Sequence, residues 1–375
     1  MFLIERLIGI SIYMYFLLVI CLLIGFTNIK YKTAFKIYLL ILCIMAFFYK
    51  PYITGDLYRI FNTIEIYSTM DFKTFFYELV VTSAIPVSRL LYWIVGKLSI
   101  SKLLPVISAF ISYYLIFYII QDVQKKYNIS RQNVSLTLFF IMATSIYISV
   151  VGGIRMMISM TLIIFCFYRE SVDKKNSIIN ILLYMIALLM HEMTIVIVGI
   201  RIFSILFDKN IKKSTRSILF IFICLIFFVL IFNHDLLIYK FVDNFKNYVF
   251  GDSYLDLWEY LMGILIFLCI FLIYYVFFKK GYHIKYKELY AFNIGSLLGI
   301  FIAILFCYVF TIFYRFIGHF VPLMSIPTIM VTLEETSKKK CFTVSLKIIF
   351  IILVCLITII SFTRGSLSSL KFFVL

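Results

Sequence analysis

Arg155 and His191 are the residues best suited to hold an anion and to move a proton, and they stand at the two ends of one apolar hairpin. Arg155 follows a glycine pair in Val151-Gly152-Gly153-Ile154-Arg155-Met156, and His191 stands in Leu189-Met190-His191-Glu192-Met193-Thr194. Two apolar segments run between them, joined by a basic turn around Arg169–Asn176. A guanidinium stays charged and offers fork-shaped donors that match a phosphate. A histidine titrates near neutral pH and can serve as an acid, a base or a phosphate-binding cation. Each also has a plainer reading, as an arginine anchored to headgroups and a histidine that ends a helix. Asp56, in Thr54-Gly55-Asp56-Leu57-Tyr58-Arg59, is either a base able to activate a hydroxyl or a solvated loop residue. Arg315, in Phe313-Tyr314-Arg315-Phe316, repeats the Arg155 placement late in the chain, and Arg89 lies in a short apolar piece with Pro86.

Familiar chemical motifs are missing. The chain holds no GxxxxGK phosphate loop, no HExxH, no GxSxG, no GxGxxG before a helix and no carboxylate-rich metal cage. No metal and no cofactor are expected, and any substrate must arrive already activated. A lipid-borne pyrophosphate is one such substrate.

The elements that position these residues follow from composition. Of 375 residues, 64% are apolar and 14% charged, and the mean hydropathy is +1.07. A soluble chain of this length could not cover that much apolar surface. Apolar runs recur without the alternation of a membrane barrel, so an all-α polytopic integral membrane protein is expected. Residues 1–375 read as a single membrane domain. The first apolar run reads as a retained span, because no A-x-A-like cleavage site follows it. The net charge of +17 does not point to nucleic acid, because the basic residues lie in short clusters between apolar runs. That is the positive-inside pattern. The cysteines are scattered, without metal-ligand spacing, and read as small core hydrophobes.

In order, the expected spans are Leu7–Phe26, Ile37–Tyr49, Leu103–Ile120, Val134–Val151, Met156–Tyr168, Ile178–Met190, Thr194–Phe207, Ile218–Phe232, Tyr260–Phe278, Leu289–Phe313, Phe316–Val331 and Ile348–Phe362. Turns are expected at Arg155, at His191 and at Tyr314-Arg315. The basic clusters at 30–36, 125–131, 169–175, 209–216, 279–287 and 338–347 hold more than half of the 35 Lys and Arg. If all face inward, the pattern closes with about twelve crossings, provided that Ile85–Leu98 does not cross. That piece is short and carries Pro86 and Arg89, so it reads as a re-entrant or interfacial helix on the outer side. Residues 50–102 then form an outer loop with short amphipathic segments, and 233–258 a second outer loop. Asp56, Arg89, Arg155, His191 and Arg315 fall at the outer rim. Arg201, inside a span, reads as snorkelling toward the inner headgroups. Gly295-Ser296-Leu297-Leu298-Gly299 reads as close helix packing.

The order of these pieces resembles the EpsG family of Wzy-like polysaccharide polymerases. The matching residues are Gly55-Asp56-Leu57-Tyr58, Ile85-Pro86-Val87, Gly153-Ile154-Arg155 and Met190-His191-Glu192-Met193-Thr194. They cover Phe48 to Phe207, and the remainder resembles the family by hydropathy and by Tyr314-Arg315. Two neighbours depart from the family pattern, Met156 where Gln is frequent and Glu192 where a small residue is frequent. The resemblance implies a polymerase on the outer face of the bacterial cytoplasmic membrane. It would join oligosaccharide repeats carried on undecaprenyl pyrophosphate into an O-antigen, capsule or exopolysaccharide. The growing chain would pass from its lipid pyrophosphate to a hydroxyl of the next lipid-linked repeat. Arg155, Arg315 and Arg89 would bind the pyrophosphate, and Asp56 or His191 would take the acceptor proton. The implied partners are the lipid-linked oligosaccharide and the bilayer, with a chain-length regulator and a flippase as further candidates. A flippase for lipid-linked glycans, or another membrane transferase such as a glycan ligase, is the alternative. Transport would favour polar groups along mid-span and internal repeats, and neither stands out.

Overall fold

The computed structural model describes residues 2–51, 55–81, 83, 85–144, 147–173, 178–207, 257–279, 286–307, 310–337 and 343–363. Among these the regular structure is entirely helical. The expected span Ile218–Phe232 and nearly all of the 233–258 loop lie outside the described residues, as does the basic cluster 209–216.

The helices are α1 (Phe2–Phe26), α2 (Tyr31–Phe47), α3 (Asp56–Thr69), α4 (Phe72–Val81), α5 (Pro86–Lys97) and α6 (Leu103–Tyr127). They continue as α7 (Arg131–Thr144), α8 (Tyr147–Gly152), α9 (Ile154–Ser171), α10 (Ile178–Met190), α11 (Thr194–Phe207) and α12 (Leu257–Lys279). After a 3-10 turn at Lys287–Leu289 come α13 (Tyr290–Leu305), α14 (Phe310–Arg315), a π-helical segment (Phe316–Phe320), α15 (Val321–Met324), α16 (Ile326–Ser337) and α17 (Thr343–Thr363).

The centre of the bundle is α6, packed against α2, α8, α9 and α16. Its 25 residues rise about 37 Å, enough to cross a bilayer core of about 30 Å. Aromatic rings lock it to its neighbours. Phe117 stacks on Phe35 with centroids 4.8 Å apart, and Tyr113 stacks on Tyr147 at 6.2 Å. Two buried hydroxyls find backbone partners, Tyr147 donating to Leu42 O at 2.7 Å and Tyr13 to Met142 O at 2.9 Å.

Among the described residues α6 is the one helix long and apolar enough to span, and the bent pair Ile312–Met324 with Ile326–Ser337 passes as a unit. Two expected runs are broken. Leu289–Phe313 divides into α13 and α14, with α13 ending at Leu305. The turn expected at Tyr314-Arg315 falls instead between α13 and α14, so Arg315 sits within a helix that runs on into the π segment. The run Phe316–Val331 bends by 54° at Ser325. Pro327 explains the bend, since it has no N–H to donate back to Leu323 and its ring crowds that carbonyl. Outward faces are nevertheless apolar. On α10, Ile178, Ile181, Leu182, Met185, Ile186 and Leu189 are all exposed. Their helical spacing makes one continuous apolar stripe, which water does not tolerate.

Close packing seats the end of the bundle that carries Arg315. A Cβ on Gly299 would lie 2.7 Å from the Phe320 ring, and one on Gly295 2.5 Å from the Met324 methyl. The small pair therefore lets α13 approach the π segment and α15, as its spacing predicts.

Basic connections gather at the opposite end of the bundle. Arg131 donates to Thr27 O and Ile29 O at 2.6 and 2.9 Å, tying the start of α7 to the end of α1. Lys126 bonds Val172 O beyond α9. Tyr127 donates to Glu288 at 3.0 Å, and Asn133 to Glu334 at 2.8 Å.

Arg201 departs from its sequence reading. Its Nε donates to Glu170 Oε2 at 2.8 Å, with the two side chains 11% and 15% exposed. The guanidinium lies 4.4 Å over the Phe167 ring, and Tyr184 donates to the same carboxylate oxygen at 3.2 Å. The arginine is an internal tie among α9, α10 and α11 rather than a snorkelling residue. Removing one partner of a buried pair strands the other charge. Arg201→Met should therefore lower thermal stability in detergent by about 3 kcal/mol, and adding Glu170→Met should recover most of the loss. An unchanged unfolding temperature in the single variant would remove this role.

Candidate active site

The start of α9 sets the geometry. Gly153 carries the chain from α8 into α9, donating to Ser149 O at 2.9 Å while its own carbonyl accepts from Met157 N–H at 3.0 Å. A Cβ at Gly153 would lie 2.9 Å from the Ser149 carbonyl oxygen, so the break needs glycine. Arg155 is thereby placed in the first turn of an 18-residue helix, where unsatisfied N–H groups and the helix dipole favour an anion.

Three other segments meet this helix start. Asp56 opens α3, Arg315 closes α14, and His191 forms the turn between α10 and α11. Asp56, Arg155, His191 and Arg315 line one cleft together with Ile60, Met156 and the backbone of Gly152 to Ile154. The cleft holds about 70 Å³, room for a phosphoryl-sized group while the rest of a long substrate lies outside. A larger cavity of about 510 Å³ lies between α2 and α6. The smaller cleft is the better candidate, because converging charged groups and not volume define a site for an anion.

Arg155 is half-buried and makes no hydrogen bond or ion pair among the described residues. Arg315 Nη1 lies 3.0 Å from the Met193 sulfur, a soft acceptor that an anionic oxygen would readily replace. Asp56 forms an ion pair with Arg59 at 3.6 Å, with side chains 54% and 73% exposed. Such solvated pairs are weak, so the carboxylate remains accessible.

His191 is more constrained than its sequence suggests. Its Nδ1 accepts the Met193 backbone N–H at 3.1 Å. A neutral imidazole that accepts at Nδ1 carries its proton on Nε2 and is a donor there. Enclosure by protein pushes the imidazole down to about 3, and the neighbouring Arg315 and Arg155 guanidiniums add to that. In the absence of a bound anion the residue is therefore neutral at physiological pH. Of the three roles open in the sequence, the local geometry favours a neutral hydrogen-bond donor.

Arg89 does not join the cleft. Its Nη1 donates to the Tyr67 hydroxyl at 2.7 Å and lies 4.0 Å from Glu78, which also accepts from Tyr67 at 2.8 Å. This network ties α5 to α3 and α4. One residue behind the site escaped the sequence reading. Tyr92 on α5 is 3% exposed, and its hydroxyl has no hydrogen-bond partner among the described residues. Burial pushes the phenol up to about 12, while Arg155 and Arg89 pull it down and Asp56 and Tyr67 push it up. Ser88, Tyr92 and Val95 share the buried face of α5, so helical phase was the one signal available.

The described residues form a helical bundle with a cleft that gathers two arginines, a histidine and a carboxylate. The chain belongs to the EpsG family, whose model matches residues 57–373, a family of Wzy-like polysaccharide polymerases. The matched region contains Arg155, His191 and Arg315, and Asp56 lies one residue before it. No curated protein and no solved structure matches the chain.

The His191 shift has a consequence for stability. Its folded value lies below the ordinary 6.5, so the unfolded chain binds the extra proton first and stability falls as pH drops from about 6.5 toward 3. His191→Gln should flatten this part of the curve of unfolding temperature against pH. A variant that loses stability over the same window as steeply as the parent would contradict the assignment.

Proposed function

We propose that the protein joins lipid-linked oligosaccharide repeats at this cleft, on the outer face of the bacterial cytoplasmic membrane. The family membership supports a polysaccharide polymerase, and the exposed apolar stripe of α10 supports a bilayer around the bundle. The observation that carries the reading is Arg155, a half-buried guanidinium with no hydrogen bond or ion pair among the described residues, at a helix N-terminus and beside Arg315. Among the described residues, Lys30, Lys32, Lys36, Lys125, Lys126, Arg131 and Arg169 lie toward the far ends of α6 and α9, which supports an outward site by the positive-inside rule.

In this reading the pyrophosphate of undecaprenyl pyrophosphate sits against the α9 N-terminus. Arg155 and Arg315 bind its oxygens, and His191 donates from Nε2. The bond between the anomeric carbon and the phosphate oxygen breaks, and its electron pair leaves with the lipid pyrophosphate. Negative charge grows on that oxygen in the transition state, where fixed donors and cations are most effective. The acceptor hydroxyl of the next lipid-linked repeat bonds to the anomeric carbon, and its proton passes to Asp56, the carboxylate at the cleft. Arg89 supports the α3–α5 wall instead of holding phosphate. A chain-length regulator and a flippase would act with the enzyme in its membrane.

Arg155→Ala and His191→Ala should each reduce polymer formation by about 100-fold or more, the loss typical of a removed transition-state donor. Single lipid-linked repeats should accumulate on the outer leaflet, as read by gel profile and lipid extraction. Normal polymer from both variants would sink the site, and accumulation on the inner leaflet would assign transport instead.

A further inference from the structure

We propose that the groove between α2 and α6, at the basic end of the bundle, is a binding site for one anionic phospholipid. The proposal rests on the membrane setting above and is independent of the reaction. Lys32, Phe35, Lys36 and Leu39 form one face of α2, and Tyr114, Phe117, Tyr118 and Gln121 form one face of α6. Both sets have the spacing i, i+3, i+4, i+7, so two helix stripes face each other across the gap. The gap holds about 510 Å³. A second cavity of about 450 Å³ shares Lys32, Tyr118 and Gln121 with it and adds Lys30, Lys125 and Arg131.

The groove changes character along its length. At the basic end, Lys30, Lys32, Lys36 and Lys125 make no ion pair among the described residues. Arg131 is held by Thr27 O and Ile29 O, and Asp122 accepts from Tyr168 at 2.6 Å. The unpaired positive charge therefore belongs to the lysines. Deeper in, the floor is the Phe35–Phe117 stack. Beyond it Tyr114 stacks on Phe110 at 5.8 Å, with both rings about half exposed. From Gln121 to Phe110 the helix descends about 16 Å, the direction an acyl chain would take.

An anionic phospholipid matches both parts, with its phosphate on the lysines and a chain along the aromatic floor. A zwitterionic headgroup would set its own cation against the lysines, and a soluble anion would leave the apolar length uncovered. The basic end is the side on which the positive-inside pattern places anionic lipid.

The test is native mass spectrometry of the full-length protein released from phosphatidylcholine nanodiscs with phosphatidylglycerol titrated in. The parent protein should retain one phosphatidylglycerol, and Lys32→Gln with Lys36→Gln should weaken that binding by about tenfold or more. Lys73→Gln with Lys347→Gln removes the same charge outside the groove and should leave it intact. Equal loss in both pairs would reduce the effect to diffuse charge. Retention of phosphatidylcholine as readily, of a second protein copy in its place, or of no lipid would each overturn the proposal. None of these outcomes bears on polymer formation.

Discussion

Two guanidiniums and an imidazole drawn into one cleft are the constraint on which this structure turns. Arg155 and Arg315 both act on the His191 imidazole, and they line the same cleft with Asp56 as their neighbouring carboxylate. Asp56 is solvated and already beside Arg59, so it screens them weakly. Mutual repulsion at a half-buried site is costly unless an anion arrives to relieve it. Enclosure by protein, with the two guanidiniums adding to it, keeps His191 neutral and makes it a donor instead of a third cation. An anion bound at the cleft would offset that repulsion.

The rest of the bundle holds these groups in place through its interruptions. Arg155 follows a break that only glycine fits, His191 occupies a turn whose backbone bonds its own ring, and Arg315 precedes a π-helical segment. In that segment the Val321 N–H reaches back to Phe316 O. Wide turns of this kind recur at functional sites. The Glu170–Arg201 pair ties the far end of α9 to the middle of α11, so the hairpin that carries Arg155 and His191 is anchored away from the cleft. The polar groups that do work lie at helix ends, where their desolvation costs least.

Much of this arrangement was legible in the sequence, though unevenly. The bounds of α10 and α11 agree with their expected spans, because a basic turn and the His191-Glu192 pair interrupt apolar runs there. Arg155, His191, Asp56 and Arg315 stand out because charged residues are scarce in such a chain, and the structure gathers them at one cleft. Breaks inside apolar runs were not legible. Nothing in Leu289–Phe313 distinguishes a straight span from a divided one, since both bury the same composition. Partnerships distant in sequence were equally hidden. Arg201 finds Glu170, and Arg89 finds Tyr67 and Glu78, through packing that no local pattern encodes. Tyr92 lies behind the site because of its phase on α5, which becomes meaningful only once that helix is docked.

The central claim is that Arg155, which makes no hydrogen bond or ion pair among the described residues, binds the pyrophosphate of a lipid-linked glycan. It is tested most directly by measuring the affinity of the purified protein, in nanodiscs, for a polyprenyl pyrophosphate. Arg155→Gln should weaken binding by about tenfold or more, the loss of a charge-assisted contact, while Asp56→Asn should leave it within about twofold. Equal affinity in the parent and the Arg155 variant would contradict the account.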